Sequence, residues 1–294
     1  MLIFCDESGA KGQATNAETS PGELGVFAGY VLRDDQVQEV SAALSGFIPA
    51  TDGTGKLHIT DLQPAEQGTL RDSIFKYFLE HRIPCLYEAI YVAGFHADFL
   101  DRQQALENAK KSRRSPIRLN VRAEVEFLHH ALFQGLMAKG MAYHEESGFT
   151  DQLTAVLDNV DKPIAEIFVE KTEELLSVEQ PQSHLVKAYD LSTKTPLRGE
   201  VRSTVKLPPT FKLAINTGKV TVSIQPTPDP FTLAADVLAN SFWYHFNEIN
   251  QRSLGAPLHN AQAVQTHQLR AVIWGLLDDW MSDTLYAHPA RRQK

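Results

Sequence analysis

The amino-acid sequence predicts an α/β protein whose mixed β-sheet is flanked by helices. Short apolar runs typical of strands alternate along the chain with longer segments that carry apolar residues at helical spacing. The first two strand-like runs are joined by a polar loop, which favours an antiparallel pair at the start of the sheet. The chain has 294 residues, 43% of them hydrophobic, which is enough for a substantial core.

Three strands and two helices are predicted near the beginning of the chain. The run LIFCDES is apolar up to an acidic end, and LGVFAGYVLR and IPCLYEAIYVAGF are largely apolar. Val37, Val40 and Leu44 recur at the spacing of a helix. The predicted strands are 2–8, 24–33 and 83–95, and the predicted helices are 34–47 and about 61–81.

The remaining chain continues this alternation. The region 97–140 is mostly helical, with an interruption near Ser115-Pro116 and a core-facing stripe that includes Val125 and Leu132. A strand begins at Leu153, and Pro163 suits the first turn of the helix that follows. Further strands are predicted near 185–191 and 211–224 around a basic loop, and helices are predicted over 163–176, 229–249 and about 266–286. Since no stretch resembles a linker, we predict one domain over 1–294 with a helical insertion at about 97–148.

Composition excludes several classes of protein. Lys and Arg number 28 and Asp and Glu number 36, so the net charge of −8 excludes a generally basic nucleic-acid coat, although it permits a local basic groove. Cys5 and Cys85 are the two cysteines and have no paired spacing, which argues against a disulfide framework. Because no signal peptide or apolar run of about 18 residues is present, we expect a cytoplasmic protein with no membrane partner.

Carboxylates occupy unusual places in this sequence. Asp6 and Glu7 end the first strand, and Asp158 and Asp161 follow a later one. Asp236 is the one charged residue between Pro230 and Asn247, in a helix that is apolar nearly all round. A buried aspartate needs hydrogen bonds, a cation or a metal ion.

Two interpretations of these carboxylates stay open. If the strand ends and the helix converge, their oxygen atoms form a set of ligands suited to Mg²⁺ or Mn²⁺, and two such ions can hydrolyse a phosphodiester. Alternatively, acidic residues follow strands because strands end at solvent, and the helix aspartate pairs with an arginine elsewhere in the chain.

Four segments resemble the motifs of the DUF3800 family, in the same order, over about residues 1–250. IFCDESG is similar to the family's opening strand, KLHITDL to its second motif, LTAVLDNVD to its later strand and FTLAADVLANSFW to its last helix. The first motif is the most specific of the four. A glutamine that the family usually carries in the last motif has no clear counterpart, since Gln225 lies too far before Asp236.

The resemblance implies an RNase H-like fold and a metal-dependent nuclease that hydrolyses phosphodiester bonds of DNA or RNA. Carried onto this chain, Asp6, Asp158 and Asp236 would be ligands of Mg²⁺ or Mn²⁺, with the choice between Asp158 and Asp161 open. Glu7 would be a fourth ligand or would support one. His58 would lie near the site as a proton shuttle or a phosphate contact.

A basic run offers a possible path for a nucleic acid. Six cations and no acid lie within thirteen residues, which suits phosphate binding as well as it suits a solvated loop. These candidate nucleic-acid-binding residues are Lys110, Lys111, Arg113, Arg114, Arg118 and Arg122. The alternatives to a nuclease are a non-catalytic RNase H-like module that binds nucleic acid or a protein partner, and a hydrolase of a small nucleotide.

Overall fold

A computed structural model describes residues 1–48, 57–112, 117–119, 123–158, 162–177, 181–203, 220–224 and 229–292. The strands are β1 (Leu2–Gly9), β2 (Leu24–Leu32), β3 (Cys85–Tyr91), β4 (Ile117–Leu119), β5 (Leu153–Leu157), β6 (Gln182–Asp190), β7 (Thr195–Ser203) and β8 (Val220–Ile224). The helices are α1 (Val37–Phe47), α2 (Pro64–Glu80), α3 (Val92–Ser112), α4 (Leu128–Glu146), α5 (Lys162–Leu176), α6 (Pro230–Arg252), α7 (Met281–Leu285) and α8 (Pro289–Arg292).

The main sheet is mixed, as predicted. Its five strands lie in the order β3-β2-β1-β5-β8. β2 runs antiparallel to β1 and β3, whereas β5 runs parallel to β1 and β8 runs parallel to β5. A second sheet contains β4, β6 and β7 in antiparallel order.

The main sheet has an apolar core on each face. On one face Phe4 and Tyr30 belong to the core that contains α6, with α1 and α2 packed beside it; we call this the α6 face. On the other face Ile3 and Phe27 belong to the core that contains Phe133 of α4; we call this the α4 face. Because both faces are covered, every residue of β2 is buried, which explains its continuous apolar run.

The ends of α6 follow the local signals in the sequence. The carboxylate of Asp229 accepts hydrogen bonds from the backbone N–H groups of Phe231 and Thr232 at 2.7 and 3.0 Å, and Pro230 occupies the first helical position. Asp229 and Pro230 therefore begin the helix as predicted. The strands predicted at 2–8 and 24–33 and the helix predicted at 34–47 are confirmed with small shifts of their ends.

Several boundaries differ from the predictions. The strand predicted over 83–95 ends at Tyr91, where α3 begins at once. Val125 is exposed and precedes α4, so it is not part of the core-facing stripe, whereas Leu132 is buried there. The α4 helix packs directly on β2 and β3. The single domain and the insertion at 97–148 stay predictions.

The helix predicted over 266–286 is wrong for most of its length. Residues 266–280 form turns and an extended stretch, and α7 covers only five residues. The backbone of Cys85, at the edge of the main sheet, instead donates to Val272 O at 2.9 Å and accepts from Trp274 N at 2.9 Å. Gly275 has a φ of +80°, which a right-handed helix cannot contain. Leu269 is nevertheless buried in this non-helical segment.

The predicted basic loop contains a strand instead. β7 pairs with β6 along its whole length as an antiparallel hairpin. The β7 side chains whose exposure is described, from Thr195 to Glu200 and Arg202, are all exposed, so no core-facing apolar run marks this strand in the sequence. Residues 204–219, which include part of the strand predicted over 211–224, lie outside the described residues. Within the described ranges, no helix is both long and apolar enough to cross a membrane.

Candidate functional site

The first two aspartates of the candidate site lie at the point where the pairing of two parallel strands ends. Cys5 of β1 is the register partner of Leu157 of β5, so Asp6 and Asp158 come next, side by side. Asp158 directly follows β5, whereas β1 continues past Asp6 and Glu7 to Gly9. Neighbouring strands are about 4.8 Å apart. Two residues 152 positions apart in sequence are thus brought together by the sheet alone.

Alternation along the strands assigns both aspartates to the α6 face. Phe4 and Val156 belong to the core on that face, and each lies two residues before one of the aspartates. The register partner of Asp6 is Ala28, which belongs to the same core. Asp158 is buried, and Asp6 is half-buried.

Asp236 approaches this pair from α6. Trp243 lies seven residues after Asp236, on the same stripe of the helix, and its ring occupies the space beside Gly9 at the end of β1. Seven helical residues span about 10.5 Å, which matches the roughly 10 Å of the three strand residues from Asp6 to Gly9. Asp236 therefore lies at the level of Asp6 along the sheet.

Asp236 also contacts the segment that carries His58. Its Oδ2 atom accepts a hydrogen bond of 2.8 Å from the backbone N–H of Ile59, and lies 3.7 Å from Nδ1 of His58. The side chain of Asp236 is 15% exposed and that of His58 is 44% exposed. A carboxylate in an otherwise apolar helix is thus satisfied in part by a backbone donor, while the imidazole beside it reaches solvent.

Glu7 lies on the opposite side of the sheet from the three aspartates. Its register partner Phe27 belongs to the core on the α4 face, and its carboxylate pairs with Lys11. Burial lowers the pKa of His129 on α4, and the charge of Glu7 opposes that shift. Asp6 and Glu7, adjacent in β1, therefore lie in two different environments.

The basic run is only partly within the described residues. Lys110 and Lys111 are exposed at the end of α3, where Lys110 Nζ lies 2.6 Å from Glu107 Oε1. Arg118 belongs to β4, as the register partner of Tyr189 on β6. Arg113, Arg114, Arg122 and Asp161 lie outside the described residues.

The three aspartates offer the right kind of donor for a hard cation, because carboxylate oxygens are the ligands that Mg²⁺ and Mn²⁺ prefer. Among the residues that the structure describes, however, no three side chains of Asp, Glu, His or Cys are close enough together to hold a metal ion. The donor atoms are of the kind that such an ion prefers, but the described side chains do not form a complete site for it.

Comparisons with known proteins identify no family for this chain. No protein-family model matches the chain, and no significant match was found among curated proteins or solved structures. The interpretation of the site therefore depends on its own residues and on the resemblance of its sequence motifs.

The sequence did not predict a buried charged network at β3, the strand that lies across β2 from β1. Glu88 of β3 is fully buried, and its carboxylate lies 3.2 Å from Lys139 Nζ and 3.3 Å from His259 Nε2. The other ring nitrogen of His259 lies 3.1 Å from Asp283 Oδ1. Trp280 Nε1 donates to Glu88 Oε2 at 2.9 Å. A lone acid inside the apolar run CLYEAIY was the available signal, the same one that drew attention to Asp236.

The buried groups of this network shift one another's pKa values. Burial alone would raise the pKa of Glu88, but Lys139 and His259 hold it at about 2, well below its ordinary value of 4.5. Burial lowers the pKa of Lys139 despite the nearby carboxylate. Burial acts to lower the pKa of His259, but Glu88 and Asp283 together raise it. The network fixes the C-terminal segment to the sheet and α4 and is closed to solvent.

Proposed function

We propose that this protein is a divalent-metal-dependent hydrolase of phosphodiester bonds in DNA or RNA, built on an RNase H-like fold. The observation that carries the proposal is the parallel pairing of β1 with β5, after which Asp6 and Asp158 follow side by side on the α6 face. The four segments that resemble DUF3800 motifs support it, as does a mixed sheet with a core on both faces.

Asp6, Asp158 and Asp236 are the residues that would hold the ion in this proposal. When bound, Mg²⁺ or Mn²⁺ supplies an activated water and stabilises the leaving oxygen of the phosphodiester. The three carboxylates would also exclude a phosphate from their face by repulsion in the absence of a cation, so substrate and ion would bind together. Glu7 is left out of this ligand set because of its place on the α4 face.

His58 is the residue that we assign to contact the substrate. Its imidazole is 44% exposed and lies 3.7 Å from Asp236 Oδ2, so it lies beside one of the three aspartates and is open to solvent. From that position it can donate a proton to the departing oxygen or a hydrogen bond to the phosphate. Its backbone is fixed, because the N–H of His58 donates to Asp61 Oδ2 at 2.9 Å.

Cleavage assays test this proposal directly. Purified protein is incubated with labelled single- and double-stranded DNA and RNA in Mg²⁺ or Mn²⁺, beside Asp6→Asn, Asp158→Asn and Asp236→Asn. We expect cleavage by the wild type and a loss of at least a hundredfold in each variant. Asp72→Asn, on the exposed surface of α2, is the matched control and should cleave normally. Cleavage that survives the three substitutions would refute the site.

A non-catalytic module is the second candidate, and one contact favours it. Asp236 already accepts a hydrogen bond from Ile59 N–H, which gives the carboxylate a structural role without any ion. In that case no substrate is cleaved, and divalent ions leave the midpoint of thermal unfolding unchanged.

A further inference from the structure

The second sheet is an exposed antiparallel structure with a chemically distinct face. β6 and β7 form nine register pairs, from Gln182 with Ser203 to Asp190 with Thr195. Alternate residues of β6 (Ser183, Leu185, Lys187 and Tyr189) are all exposed, and their register partners on β7 point to the same side. We call this the ribbon face, which consists of Ser183, Leu185, Lys187, Tyr189, Pro196, Arg198, Glu200 and Arg202.

We propose that the ribbon face binds a single-stranded nucleic acid through its phosphates and bases. The face carries three cations, Lys187, Arg198 and Arg202, against the single carboxylate of Glu200. That local excess of positive charge stands out on a chain of net charge −8. A cationic strip on an exposed β-surface is complementary to a phosphate backbone.

The pairing of Lys187 with Arg198 is the strongest sign of an external anion. The two residues are register partners, so their side chains lie directly opposite one another. Like charges in that position destabilise a sheet. Among the described residues, neither side chain has a carboxylate within the 4.0 Å of an ion pair, whereas Arg202 Nε lies 3.3 Å from Glu200 Oε1. Two adjacent cations with no counter-ion among the described residues suit a ligand that brings negative charge.

Tyr189 gives the face an aromatic ring beside these cations. The ring is 42% exposed, and its hydroxyl donates a hydrogen bond of 3.0 Å to Lys194 O in the hairpin turn. A ring held at its polar end with its surface in solvent suits stacking of an unpaired base. Arg118 is the register partner of Tyr189, so a residue of the basic run at 110–122 belongs to this same sheet.

This inference concerns binding and does not require the proposed hydrolysis. Fluorescence anisotropy in EDTA therefore separates the two, with labelled oligothymidylate, oligouridylate and a DNA duplex as probes. The test variant is Lys187→Gln/Arg198→Gln. The matched control is Lys76→Gln/Lys162→Gln, which removes two exposed lysines from helices with the same change of charge.

We expect the test variant to bind the single strands about tenfold more weakly than the control, with the slope of log K against log salt smaller in magnitude by about 1.4. Tyr189→Ser should weaken binding at least fivefold without changing that slope. Glu200→Gln should tighten binding, a gain that misfolding cannot produce. Equal affinities of the test and control variants, a preference for the duplex, or no binding by the wild type would overturn the proposal.

Discussion

Oδ2 of Asp236 accepts a hydrogen bond of 2.8 Å from the backbone N–H of Ile59, which joins α6 to a segment 177 residues earlier in the chain. The bond places His58 beside the carboxylate and gives Asp236 two separable roles. One is to fix the segment at 58–61, and the other, in our proposal, is to hold a cation.

Substitution of Asp236 should separate these roles. Asp236→Ala removes the acceptor of Ile59 N–H, and we expect the free energy of unfolding to fall by about 2 kcal/mol, as for a hydrogen bond to a charged group. Asp236→Asn keeps an oxygen acceptor and should lose less than about 1 kcal/mol. Urea unfolding in EDTA measures both values. An equal loss in the two variants would show that the hydrogen bond to Ile59 is not the stabilising contact.

Lys139 should be essential to stability because it pairs with the buried carboxylate of Glu88. Lys139→Met leaves the buried carboxylate of Glu88 without its nearest cation, which costs about 3–5 kcal/mol when one member of a buried pair is removed. Adding Glu88→Gln to this variant should restore part of the loss, since the unpaired charge is then gone. Chemical unfolding of the single and double variants provides the measurement. A double variant less stable than Lys139→Met would contradict this account.

Acid should destabilise the protein in part through Glu88. Its pKa is about 2 in the folded protein and near its ordinary 4.5 when unfolded, so the unfolded chain binds the proton more readily. The stability that Glu88 contributes is therefore complete above about pH 4.5 and is lost as the pH falls through 4.5 toward 2. Glu88→Gln should have a shallower decline of unfolding free energy over that window. An equal decline of the unfolding free energy in wild type and variant would contradict this account.

Much of the main sheet was predictable, because strands that are buried have short apolar runs in the sequence. β1, β2 and β5 were found from short apolar runs, and Asp236 from its isolation in an apolar helix. The alternation that separates Asp6 from Glu7 follows from the strand itself, but its assignment to the two faces required knowing which helix covers which core.

The failures have a physical cause in contacts between distant segments. The stretch around Val272 has a helical pattern of apolar residues, yet the open edge of β3 at Cys85 pairs with its backbone. β7 pairs with β6, and those of its side chains whose exposure is described are exposed, so no buried apolar run marked it as a strand. Glu88 and Lys139 lie 51 positions apart, and neither sequence neighbourhood indicates its partner.

The binding of Mn²⁺ followed by electron paramagnetic resonance tests the central claim most directly. Wild-type protein, Asp6→Asn, Asp158→Asn and Glu7→Gln are each titrated with Mn²⁺, and the signal of free ion is measured. Glu7→Gln is the matched control, because it removes a neighbouring carboxylate from the α4 face. We predict that the wild type and Glu7→Gln remove Mn²⁺ from the free pool, and that Asp6→Asn and Asp158→Asn bind it at least tenfold more weakly. Undiminished binding by Asp6→Asn and Asp158→Asn, or an equal loss in Glu7→Gln, would contradict the proposed site.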